Sequence, residues 1–232
     1  VSVRSQAGIS TLADMTLYEN MMSGPELKEF WVRAGLMTPA QIKATYTDKG
    51  YDADTKWYLV QQQFNNPQIQ NDVTVEGGGN KVAYMIGASQ FHQVGTVPGN
   101  YYDRYTVRSN VQGHPKDWLK VGANVSLSYD KRFSNSNWGG AGSVSNSTQG
   151  GLSFLNNPLY PTIDPETGEE YETRYPNGIW NPDYTIKNVP RIVNRYGLLG
   201  SVNVVIEPVK NFKISSRVGV DGSISDNLQY RR

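Results

Sequence analysis

His92 and His114 are the two histidines of this 232-residue chain, and neither stands in a recognisable nucleophile or metal-ligand motif, so both read as polar loop or turn residues. Cysteine is absent, which removes thiol catalysis, disulfide scaffolding and cysteine-ligated zinc. Gly77, Gly78 and Gly79 invite comparison with a phosphate cradle. No Lys-Ser/Thr pair and no helix start follows them, so they are assigned to a hairpin turn. The acidic run from Asp164 to Glu170 offers oxygen ligands but lacks the spacing of a calcium loop, and Asp164-Pro165-Glu166-Thr167-Gly168 has the composition of a solvated β-turn. Glu166 and Glu170 could in principle serve as a glycosidase carboxylate pair, yet they share one turn and nothing in the sequence sets them across a sugar. The expectation is therefore no catalytic residue, no metal and no cofactor.

Two groups are better candidates for binding. Tyr171, Tyr175, Trp180 and Tyr184, near Tyr160, could stack on sugar rings or pack a folded loop. Arg4, Arg104, Arg108, Lys120 and Arg217 fall on the polar sides of four segments with a two-residue period. The 22 basic and 21 acidic side chains leave a formal charge of +1, so no broad cationic field would draw nucleic acid.

The elements that must position these residues are strands. Val1, Val3, Ala7 and Ile9 oppose Ser2, Arg4, Gln6 and Ser10; Ile69, Val73 and Val75 oppose Gln70, Asp72, Thr74 and Glu76. Further strands are predicted over Val82 to Ala88, Tyr101 to Gln112, Asp117 to Tyr129, Tyr196 to Glu207 and Phe212 to Asp221, with turns at Gly77 to Asn80, Gly113 to Lys116 and around Asn211. The clearest is the fifth, in which Leu119, Val121, Ala123, Val125, Leu127 and Tyr129 alternate without a break against Lys120, Gly122, Asn124, Ser126 and Ser128, an order no amphipathic helix produces.

Every second connection is long. Residues 11–68 and 131–195 form two large loops and Gly95 to Asn100 a smaller one, so all three emerge at one end of an up-and-down sheet. Short turns at one rim and long loops at the other is the asymmetry of transmembrane β-barrels, whose strands need about 9 to 11 residues and keep the average hydropathy low. A mean hydropathy of -0.54 is compatible with that class. In the first loop Ser23-Gly24-Pro25-Glu26 and Thr38-Pro39 predict helix starts, and Gly35 a stop. The predicted fold is all-β: a segment of about seven strands from an antiparallel up-and-down transmembrane barrel, with short helices in long loops on one side. The alternative reading of the same stripes is a soluble, secreted carbohydrate-binding β-sandwich whose apolar faces meet in a core.

The motifs from Asp72 to Arg132 resemble the early barrel of SusC/RagA-type TonB-linked outer-membrane receptors. They are Glu76-Gly77-Gly78, Tyr84, the Gly95 to Gly99 loop, Arg104-Tyr105 with Arg108 and Asn110, and Asp117-Trp118-Leu119-Lys120 with Gly122. Weaker similarity lies in VSVRSQAGIS, in Pro158-Leu159-Tyr160-Pro161 with its following turn, and in Asn203 to Pro208. The resemblance implies a TonB-dependent importer of oligosaccharides or peptides in the outer membrane of a Gram-negative bacterium, working with a SusD-like surface lipoprotein. It also implies that residues 1–232 are only part of such a receptor, about a quarter, without plug or final strands. The five cations would then face a lumen or plug, and the loop aromatics a substrate.

Overall fold

The computed structural model describes residues 1–60, 62–135, 156–172, 175–177, 181, 184, 187, 188 and 190–229. Seven strands, β1 (Ser2–Ser10), β2 (Asn66–Gly78), β3 (Val82–Val94), β4 (Tyr101–Lys116), β5 (Leu119–Asn135), β6 (Pro190–Val209) and β7 (Phe212–Gln229), form one sheet. Their spatial order is their chain order, and each neighbouring pair is antiparallel. The tight connections β2–β3, β4–β5 and β6–β7 lie at one rim; the connections through 11–65, 95–100 and 136–189 lie at the other.

The strands outrun their predicted limits at both rims. His114, Pro115 and Lys116 belong to β4, so the turn is Asp117-Trp118, and Pro208 sits inside β6. Proline cannot donate to a ladder, which is why the sequence suggests a break at each. The sheet accommodates both by register shifts, between Gly113 and Lys116 and between Ile206 and Val209. His92 and His114 are likewise strand residues. Toward the loops, β5 continues through Asn135, β6 starts at Pro190, and β7 reaches Gln229. There polar residues occupy both faces, so the two-residue hydrophobic signal vanishes although the backbone pairing persists.

Short helices stand in the first long connection: α2 (Gly24–Arg33) and α3 (Pro39–Thr45) begin at the two predicted starts, and α1 (Thr16–Glu19) and α4 (Trp57–Val60) are additional. Ser23 and Thr38 each close a capping box, with Glu26 and Gln41, and Gly35 takes the left-handed φ of 67° just past α2. The Glu26 carboxylate accepts from the Ser23 backbone N–H and hydroxyl, which hold its pKa below the ordinary 4.5. A depressed pKa contributes stability above the unfolded value that is lost as pH falls through the folded one. Amide protection of α2 is therefore expected to weaken only below pH 4.5. Ser23→Ala is expected to cost about 1 kcal/mol of local stability, read from the same exchange rates.

Candidate functional site

Partners in a ladder share a face of the sheet. Asp72, Ser89, Thr106, Ser128, Gly197 and Ser223 are successive partners from β2 to β7. Counting in steps of two from that row, and crossing to β1 through the Arg4–Asp72 pairing, Arg4, Arg104, Arg108, Lys120 and Arg217 all lie on this same face. The sheet thus sets five cations from four strands on one face, spread from β1 to β7. Arg104 donates from Nε to Asp130 Oδ1 at 2.6 Å, and Tyr102 donates its hydroxyl to the same oxygen, with the Arg104 guanidinium 5.3 Å from the Tyr102 ring centre. Arg108 lies in a depression of about 360 Å³ with Asn110, Asn124, Ser126 and Ser201.

Further cations of this face are hidden in the sequence, Arg132 and Arg195 among them. Arg132 follows Asp130 by two residues on β5, and Arg195 is Asp130's direct partner on β6. Both fall in what reads as the loop 131–195, because the apolar alternation fades there. Placing the ladder past Tyr129 would have needed the partner strand, which only the fold supplies.

The opposite face carries the apolar series, and it is uncovered: Val125 is 41% exposed, Leu127 51%, Val218 71% and Ile224 76%. No second sheet packs on it among the described residues. Tyr105, Tyr129 and Tyr196 are neighbours in one row of this face, with ring centres 6.3 and 5.0 Å apart. Two residues nearer the loops the row turns polar, with His92, Asp103, Lys131, Asn194 and Asp226 in register and His92 Nδ1 2.6 Å from Asp103 Oδ1.

The two long connections fold against each other at the loop rim. Ala53 and Thr55 donate their N–H groups to Leu159 and Pro158 carbonyls, Trp57 Nε1 donates to Asn157 O, and Gly24 N–H donates to Asp54 Oδ1. Trp57, Tyr160 and Tyr175 form the buried centre, packed by Tyr46, Tyr51, Val60 and Tyr171. Tyr175 is 1% exposed, its hydroxyl donates to Pro161 O, and both its ring faces are covered, by Tyr160 and Tyr171 with centres 4.7 Å away in each case. Tyr171 also meets Tyr51 hydroxyl to hydroxyl at 2.7 Å, and Tyr184 is buried. Of the four aromatic candidates Trp180 lies outside the described residues; Tyr171, Tyr175 and Tyr184 sit in the folded loop unit. Glu166 N–H donates to Asp164 Oδ1 in the expected turn, and Glu170 pairs with Lys187. Burial, with Tyr46 close by, pushes the Tyr160 phenol up to about 12. A raised pKa contributes stability that is full below the unfolded value of 10 and lost toward 12, so the unit is expected to loosen across that alkaline window, seen as tyrosinate absorbance rising together with loop amide exchange.

The fold defines a class: a single up-and-down antiparallel sheet with one polar and one apolar face and its long connections at one rim. Two solved structures share it. One, described as the RagAB peptide transporter, superposes with a TM-score of 0.75 at 22% identity, over 98% of this chain and 28% of the other. The second, the RagAB peptide importer in the closed-closed state, gives a TM-score of 0.77 at 23% identity, over 99% of this chain and 28% of the other. The chain therefore spans little more than a quarter of the chains it matches. No family model matches it, and no curated protein does.

Proposed function

We propose that this chain is a wall segment of an outer-membrane barrel that imports nutrients, with the apolar face against lipid and the polar face toward the lumen. The observation that carries the reading is the apolar face of β5. From Leu119 to Tyr129 it runs ten residues, about 33 Å at about 3.3 Å per residue and about 25 Å once tilted by roughly 40°, which matches the apolar band of such barrels. The tyrosine row then sits at one interface and the His92 to Asp226 row in water beyond it. Extending the band to Phe133 would add four residues and overshoot a bilayer. The strands project past the membrane and carry the loop unit outside the cell.

No bond is broken in this reading; the chain is not an enzyme. The solute is a peptide rather than an oligosaccharide, because both similar structures are described as peptide carriers and the loop tyrosines that would stack on sugars are packed together. A SusD-like lipoprotein seats on the loop rim, and TonB acts through parts of the receptor outside this chain. Arg217 and Lys120, set progressively toward the short-turn rim, face a plug.

This chain contributes no cysteine of its own to a thiol-labelling test. In the full receptor in native membranes, Ser126→Cys is expected to react with a water-soluble maleimide, and its neighbour Val125→Cys only after detergent extraction. Equal labelling of both thiols in the membrane refutes a lipid-facing wall.

A further inference from the structure

Charge on the inward face is lopsided near the loop rim. Across β4, β5 and β6, from that rim down to Leu199, the face carries Arg104, Arg108, Arg132, Arg191 and Arg195, five cations, against one carboxylate, Asp130. Asp130 is already committed to Arg104 and the Tyr102 hydroxyl. Arg195 donates only to the neutral Ser223 Oγ, at 3.2 Å, and Arg191 only to Asn227 Oδ1, at 3.1 Å. Arg132 and Arg108 have no anionic partner among the described residues. Each of these two guanidiniums lines a concavity. Arg132 shares one of about 330 Å³ at the rim with Tyr102, Gln93, Thr96 and Asn100, and Arg108 occupies the depression six register positions deeper.

We propose that this arginine track, Arg132 and Arg195 at the mouth and Arg108 below, binds the carboxylates of an acidic peptide as it enters the lumen. The inference rests on the import reading above. A guanidinium presents a planar fork that fits a carboxylate with two parallel bonds, and it stays charged at any physiological pH. Clustering like charges on one wall raises the local concentration of anions and disfavours cationic solutes. The position of the track decides between a solute and the protein's own plug. Arg132 and Arg195 sit beyond the tyrosine row, at the rim where the loops stand and a solute arrives, whereas Lys120 and Arg217 lie at least eight residues of β5 closer to the short turns.

The test uses the full receptor in detergent and two C-terminally amidated synthetic peptides, one with two Glu side chains and one with Gln in their place. Wild type is expected to favour the Glu peptide, with the preference shrinking as salt rises. Arg132→Gln with Arg195→Gln is expected to weaken the Glu peptide about tenfold, the loss of one or more charge-assisted bonds, and to leave the Gln peptide unchanged. Arg132→Glu should turn the preference toward a Lys-bearing peptide. If wild type binds both peptides equally, or the double variant weakens both alike, the track is not an acidic-peptide site; carboxylates of the plug already filling it would give that result, and the import reading would stand. If wild type binds neither peptide, peptide import itself fails, and this proposal with it.

Discussion

Val125→Arg is expected to lower the stability of the membrane-inserted receptor by about 2 to 4 kcal/mol, because in the proposed wall it would set a guanidinium at mid-depth on the face assigned to lipid. Val125 lies six residues from Leu119 and four from Tyr129, so it sits near the centre of the apolar band, and its 41% exposure shows that no other part of the chain would cover the new charge. The adjacent Asn124 points the other way, between Asn110 and Ser201. Asn124→Lys is therefore expected to stay within about 0.5 kcal/mol of wild type. Denaturant midpoints of the receptor refolded in lipid vesicles measure both. Matching midpoints for the two variants would remove the distinction between faces on which the membrane reading depends.

Tyr175→Ala is expected to be the most damaging change in the loops, about 3 to 5 kcal/mol, since it leaves a cavity between Tyr160 and Tyr171 and opens an edge of Trp57. The loss is local. Ala53 and Thr55, whose N–H groups bond across to Leu159 and Pro158, should lose hydrogen-exchange protection, while β4 and β5 amides keep theirs. Tyr175→Phe removes only the bond to the Pro161 carbonyl and should cost about 1 kcal/mol. Full protection of Ala53 and Thr55 in the alanine variant would mean that the ring stack does not hold the two loops together. Docking of the lipoprotein partner on this unit should weaken with it.

The alternation of Leu119 to Tyr129 was enough to place β5, its facing and, by extension, the cations Arg104, Arg108, Lys120 and Arg217, because side-chain direction in a strand follows from position alone. The helix starts at Ser23 and Thr38 were equally local, each a cap and a carboxylate or amide three residues on. His92 was not legible in this way. It lies where β3 leaves the apolar band, and its pairing with Asp103 depends on the register of two strands.

By itself, then, the sequence determined the strands inside the band, their two faces and the rim at which the long connections emerge, since each follows from a two-residue period and from where turn residues interrupt it. Tertiary structure decided what periodicity cannot encode. Ladder hydrogen bonds carry β5 and β6 beyond Tyr129 and Tyr196, which turns Arg132 and Arg195 from loop residues into parts of the sheet's polar face. Packing between connections about a hundred residues apart in sequence turns Tyr175 from a free ring into the centre of a folded unit. Both outcomes are non-local, set by which segments meet.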